Sequence, residues 1–272
     1  MARRSRAATA LVLVAAAACG TGHRGGDQAS SGRAAGSVPE RIRGSVPERI
    51  RGSITVLAAA SLEEPFTELG RRFEEQHPGT TVRFGFDASS ILARQVRAGA
   101  PADVLATADE PSMAPVAEAG VVSTPTVFAR NRLAILVAAG NPRGVGGLAD
   151  LGRPDLDLVL CAPEVPCGRL AGEVLDRAGV SARPRSFEPN VKGVVTKVTL
   201  GEADAGIVYA TDVRAAGDRA QGIEIPAARN VVARCPLATV RAAPNPAAGA
   251  RFVELVLSPE GRRVLAAAGF ET

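Results

Sequence analysis

Histidine occurs only twice in 272 residues, and both copies are badly placed for chemistry. His23 lies in a Gly- and Arg-rich stretch and His77 precedes Pro78 at a helix end, so no metal-ligand spacing with cysteine arises. Neither can serve as base to a nucleophilic serine, and no Gly-x-Ser-x-Gly elbow is present. Asp103 and Asp109 do not readily replace it, so a hydrolase is not expected and no catalytic residue is assigned. Tryptophan is missing and Tyr209 is the single tyrosine, so intrinsic emission reports one place in the molecule. Lysine is confined to Lys192 and Lys197 among 32 basic residues, a codon bias that carries no functional weight. The net charge is only +4, and the first fifty residues hold many arginines against few acids. The basic excess therefore falls outside the folded part, and no nucleic-acid partner is implied.

Long hydrophobic runs are lacking as well. The apolar stretch Ala7 to Ala18 follows three arginines and is too short to remain as a membrane span, so residues 1–18 read as an export signal. Ala16, Ala17 and Ala18 before Cys19 resemble the lipobox of bacterial lipoproteins, although Ala16 stands where leucine is usual. Lipidation of Cys19 would hold the mature chain to the outer face of the cell membrane; a plain secretory signal, giving a soluble exported protein, is the alternative. Residues 19–52 have almost nothing to bury and read as a disordered tether. They include a tandem duplication, 36–43 and 44–51, too short to be a repeat architecture.

With Cys19 acylated, Cys161, Cys167 and Cys235 remain in an oxidising compartment, an odd number. Cys161 and Cys167 flank a five-residue loop short enough to staple, which makes that pairing the first choice without excluding the others.

From residue 53 onward strands and helices alternate. The pattern predicts strand 54–60, helix 62–76, strand 80–86, helix 89–98, strand 103–107 and helix 110–119. A long extended stretch, 126–137, leads to a helix start near Leu148, strand 157–161, helix 167–178, strand 184–187 and helix 191–201. Strands 205–209 and 222–225, a second long stretch 231–241, and helices 246–257 and 259–268 follow. This alternation predicts an α/β fold of two lobes, each a mixed sheet flanked by helices, joined by two crossover segments. Lobe 1 would take residues 53–130 plus 236–272 and lobe 2 residues 131–235, with the two long segments as hinges.

Three strand-to-helix junctions stand out. The strand from Ile54 stops at Ser61, and Ser61 with Glu64 has the form of a capping box. Ser89 and Ser90 open the next helix, and Val191 opens another after Pro189 and Asn190. A helix start presents free N–H groups and the positive end of the dipole, which makes it an anion site. Ligands of open α/β sheets sit beyond the carboxyl ends of the strands, where such junctions lie.

Five stretches carry a resemblance: Ala58 to Leu62, Phe86 to Gln95, Gly99 to Val104, Pro163 to Gly168 and Gly201 to Tyr209. In this order they are similar to the signature segments of periplasmic molybdate-binding proteins, the substrate-binding components of molybdate ABC transporters. The resemblance runs from about Ile54 to Phe270. It implies a type II periplasmic-binding-protein fold and a tetrahedral dianion, molybdate or tungstate, held without salt bridges. Molybdenum would enter only as the oxyanion; no metal cation and no cofactor are implied. The implied ligands are Ser61 and Ser89 through hydroxyls, Cys167 and Val191 through backbone N–H groups, and Tyr209 through its phenol. A Cys161–Cys167 bridge would bear on the Cys167 loop. Asp87 would repel a dianion unless it caps a helix and points away, and Lys192 is expected to be solvated. The implied partner is the membrane permease of an ABC transporter, and a monomer is expected. Another oxyanion, sulfate or phosphate, remains the alternative ligand.

Overall fold

The computed structural model describes residues 50–272. The expected signal, the Cys19 acylation site and most of the tether, including nearly all of the tandem repeat, lie outside them. The described part begins inside the segment expected as tether: Ile50 packs on the core, and the Thr80 hydroxyl donates to its carbonyl.

The first half is built from β1 (Gly52–Ala59), α1 (Glu63–Gln76), β2 (Thr80–Asp87), α2 (Ser89–Arg97), β3 (Val104–Ala106) and α3 (Glu110–Glu118). A 13-residue strand, β4 (Thr126–Ala138), leads out of it. The second half contains β5 (Leu158–Cys161), α4 (Pro166–Ala178), β6 (Ser186–Glu188), α5 (Val191–Thr199), β7 (Ala205–Tyr209), α6 (Ala210–Ala216) and β8 (Ala220–Glu224). The chain returns through β9 (Val232–Thr239) and closes with α7 (Pro246–Leu257) and α8 (Pro259–Ala267).

Strand order is β2-β1-β3-β9-β4-β7-β5-β6, with β8 also on β4. β1 runs parallel to β2 and β3, and β5 runs parallel to β6 and β7. Parallel neighbours need crossover connections, and the helices supply them. β4 is the seam. Thr126 to Arg132 pair antiparallel with β9, whereas Leu133 to Val137 pair with β7 and Ala134 to Ala138 with β8. One strand thus belongs to both sheets, and its partners change between Arg132 and Leu133.

α1 shows why these helices cover the sheet. Phe66, Leu69 and Phe73 recur at helical spacing and are fully buried. Each such burial contributes roughly 1.5–3 kcal/mol. Phe252 of α7 stacks edge-on to Phe66 and Phe73, which ties the end of the chain to its first helix. Gly70 lets α1 lie flush on β2, since a Cβ there would come within 2.6 Å of the Phe84 ring. A smaller apolar cluster, including Leu92, Val96, Met113 and Val116, glues α2 to α3.

The expected pattern departs from the structure in two places. Near Leu148 there is only a 3-10 turn, Leu148–Gly152, because Gly152 and Pro154 stop a longer helix. α6 went unforeseen, since seven residues are too few to display a helical period. Among the described residues no helix is long and apolar enough to cross a membrane.

Candidate anion-binding site

Between the two halves lies a small cleft, partly open to solvent, with about 220 Å³ of non-atom space. Ser61, Ser89, Cys167, Val191 and Tyr209 all line it. The structure therefore brings together all five positions singled out in the sequence, from both halves of the chain. None of the residues lining it is lysine or arginine.

Three helices begin at this wall. Ser89 and Val191 are the first residues of α2 and α5, and Cys167 is the second residue of α4, behind Pro166. The first N–H groups of a helix have no intrahelical acceptor, and each terminus carries about half a unit of positive charge. Asn190 caps α5 by accepting the Gly193 N–H at 3.3 Å, so its side chain fixes the start without consuming the Val191 N–H.

The hydroxyls are oriented by the fold. Ser89 is buried and its oxygen accepts the Ala108 N–H at 2.9 Å. Its own hydrogen is then left to donate. Ala108 is held on its other side by the Cys235 thiol, which donates to its carbonyl at 3.6 Å. Burial pushes the Cys235 thiol up to about 12, with the Asp109 charge adding to it, so it stays protonated. The Tyr209 hydroxyl is buried with no hydrogen-bond partner. Burial, then the charges around it, raises the phenol well above its ordinary value, so it keeps its proton and is a donor in need of an acceptor.

Three expectations are corrected. Ser61 and Glu64 form no capping box, because a 3-10 turn, Ala60–Leu62, moves the N-cap of α1 to Leu62. No side chain caps that helix, and Ser61 is left on the cavity wall. Ser89 opens α2 as expected, with Ala88 as the N-cap. Asp87 neither caps α2 nor leaves the cavity wall. Its Oδ1 accepts the Ala88 N–H at 2.7 Å and the Asn190 amide at 3.1 Å, which commits that oxygen and links β2 to α5. Lys192 is not a solvated lysine either: its Nζ lies 2.5 Å from Glu64 and 3.5 Å from Asp212.

Cys161 and Cys167 are disulfide-bonded, with Cα atoms 5.7 Å apart. The bridge ties the end of β5 to the start of α4. Gly168 completes the fit, because a Cβ there would lie 2.6 Å from the Cys161 carbonyl oxygen. Cys235 is free and buried.

Sequence reasoning missed Asn190, although Asn before a helix is a preferred N-cap. It also missed Asp212. This carboxylate accepts the Tyr209 N–H at 3.2 Å and so steadies the residue that enters the cavity. Burial raises it to about 6, against the opposing pull of Lys192.

Two α/β halves sharing a long strand, with a donor-lined cavity between them, make the architecture of a solute-binding protein. The chain belongs to the bacterial extracellular solute-binding protein family, whose model matches residues 54–271. It is 42% identical over 218 residues to the molybdate-binding protein ModA of Mycobacterium tuberculosis, covering 80% of this chain and 84% of that protein. The molybdate-binding protein ModA of Haemophilus influenzae is 28% identical over 80% of this chain and 89% of its own. Among solved structures, the periplasmic molybdate-binding protein of Azotobacter vinelandii superposes with a TM-score of 0.70 at 21% identity, covering 80% of this chain and 99% of that one. The sulfate-binding protein SubI of Mycobacterium tuberculosis gives 0.72 at 22% identity, covering 81% and 86%. At these identities the two structures speak for the fold alone.

Proposed function

We propose that this protein captures molybdate, and tungstate equally well, outside the cytoplasm and delivers it to the membrane permease of an ABC transporter. The observation that carries the reading is the cavity itself: hydroxyl, phenol and helix-start N–H donors from both halves, with no basic side chain among its lining residues. The 42% identity to proteins named for molybdate supports the choice of ligand.

The physics is sufficient. A hydrogen bond to a charged group contributes roughly 1.5–3 kcal/mol. Five such donors, helped by three helix termini, must offset the dehydration of one compact dianion and the repulsion of Asp87, which is lessened by the two hydrogen bonds its Oδ1 accepts. Ser61, Ser89 and Tyr209 donate through oxygen, and Cys167 and Val191 through the main chain. Sulfate is smaller and leaves those bonds long in a rigid pocket; tungstate nearly matches molybdate. The protein binds its ligand and does no chemistry on it.

In this reading residues 53–130 with 236–272 form one lobe and 131–235 the other. They close on the ion by a hinge in the extended segments near 126–137 and 231–241, and the partner change at Arg132 and Leu133 lies in the first of these. The ligand favours closure only through its higher affinity for the closed state. The receptor works as a monomer, held to the membrane through Cys19.

The test is a titration followed by Tyr209 emission and calorimetry with molybdate, tungstate, sulfate and phosphate. Saturable responses to the first two are expected. A response to sulfate but not molybdate would replace the proposed ligand.

A further inference from the structure

Ion pairs that join the two halves of the molecule sit beside the cavity rather than in it. Glu64 on α1 follows Ser61 by three residues, and Lys192 on α5 follows Val191 directly. Asp212 on α6 follows Tyr209 by three and accepts its N–H. Lys192 therefore stands between a carboxylate of the first half, at 2.5 Å, and one of the second, at 3.5 Å. The second pair repeats the pattern. Asp109, next to Ala108, caps α3 and pairs with Arg169, which follows Cys167 by two residues on α4.

Asp109–Arg169 is better protected than an ordinary surface contact, whereas Glu64–Lys192 is half-exposed on its Glu64 side. Asp109 and Asp212 have side chains only 5% and 1% exposed, and Lys192 is 23% exposed. The Asp212 Oδ1 atom has no hydrogen-bond partner, so Lys192 supplies its nearby compensating charge. Glu64 is the exposed member, on the edge of the group. When the halves separate, Lys192 keeps Asp212 and loses Glu64, while Arg169 and Asp109 part altogether. Opening thus breaks two charge contacts that the ligand itself does not make.

We propose that Glu64–Lys192 and Asp109–Arg169 form a two-point latch across the cleft that sets how long the bound oxyanion stays. The inference rests on the reading of the cavity as a ligand site closed between two lobes. Glu64, Lys192, Asp109 and Arg169 are positioning residues: they hold the donor-bearing helix starts against each other and leave the ion to the uncharged dipoles. A simple field effect predicts the opposite sign. If Glu64 acted only as a negative charge near a dianion, removing it would tighten binding.

The experiment uses Glu64→Gln and Arg169→Gln, which spare the buried acids, with Glu75→Gln as control on an exposed pair of α1. Stopped-flow release of molybdate, read through Tyr209, should quicken about 3–10-fold in each latch variant and stay unchanged in the control. The difference should shrink in 0.5 M salt, where the Debye length falls to about 4–5 Å. Small-angle scattering of the ligand-free proteins should show a larger radius of gyration for both latch variants than for wild type. Sulfate serves as the release probe if molybdate gives no signal, which separates failure of the ligand assignment from failure of the latch. Slower or unchanged release together with an unchanged radius overturns the proposal.

Discussion

The oxygen of Ser89 accepts the backbone N–H of Ala108 at 2.9 Å, joining the start of α2 to the segment between β3 and α3. With that lone pair engaged, the hydroxyl still has its hydrogen to donate. In the proposed function, changing Ser89 to Ala removes a donor to the ion and strands the buried Ala108 N–H at once. Affinity for molybdate should fall by about 2–3 kcal/mol, on the order of 30- to 150-fold. Calorimetry checks this, and a change of less than threefold would remove Ser89 from the ligand set.

Tyr209 separates binding from stability. Its hydroxyl is buried without a partner, so the unliganded protein bears the desolvation of a polar group that, in the proposed function, the ligand would satisfy. Tyr209→Phe should weaken molybdate binding by about 1–2 kcal/mol while leaving the melting temperature of the ligand-free protein equal or higher. Loss of stability without loss of affinity would mark the phenol as structural.

The Cys161–Cys167 bridge and Gly168 act on the same short segment. Replacing both cysteines by alanine should cost about 2 kcal/mol of stability, the loop-closure value for a ring of this size. It should also lower affinity, because the α4 start loses its anchor. Gly168→Ala should cost about 1–3 kcal/mol through overpacking against the Cys161 and Ala162 carbonyls. Gly172 on the same helix faces open space, so Gly172→Ala should instead add about 0.5–1 kcal/mol. Thermal melts of the three variants decide the matter.

Asp212 makes stability depend on pH with a definite sign. Its folded-state value is raised to about 6 from 3.8, so the folded protein binds this proton more tightly than the unfolded chain. On this group's account stability is greatest below pH 4, falls as pH rises to about 6, and stays lower above. Two units correspond to about 3 kcal/mol. Asp212→Asn should therefore raise the melting temperature relative to wild type more at pH 7.5 than at pH 4.5. An equal difference at both values would show that the carboxyl titrates normally.

Much of this molecule was legible in one dimension. The alternation of strands and helices and the two long extended segments follow from local rules, whereas the five site positions came from the resemblance of short stretches to a known family. An apolar run of four to eight residues bounded by turn residues favours a strand, and Ser or Asn after it favours a helix start. The spacing of Cys161 and Cys167 likewise made their pairing the natural first choice. Local rules also misled where two outcomes shared one pattern. Ser61 with Glu64 has the form of a capping box, yet Glu64 finds better company in Lys192, a residue 128 positions away.

What the sequence determined, then, was roughly where most helices start, because that is decided within a few residues. Only the tertiary structure decided that three of those starts meet around one cavity, that Asp87 stays on its wall held by Asn190, and that Lys192 spans the cleft. Those outcomes depend on β4 changing partners at Arg132 and Leu133, which brings distant halves of the chain together. Contacts across so many residues are set by sheet order and packing, and neither is written in any local stretch.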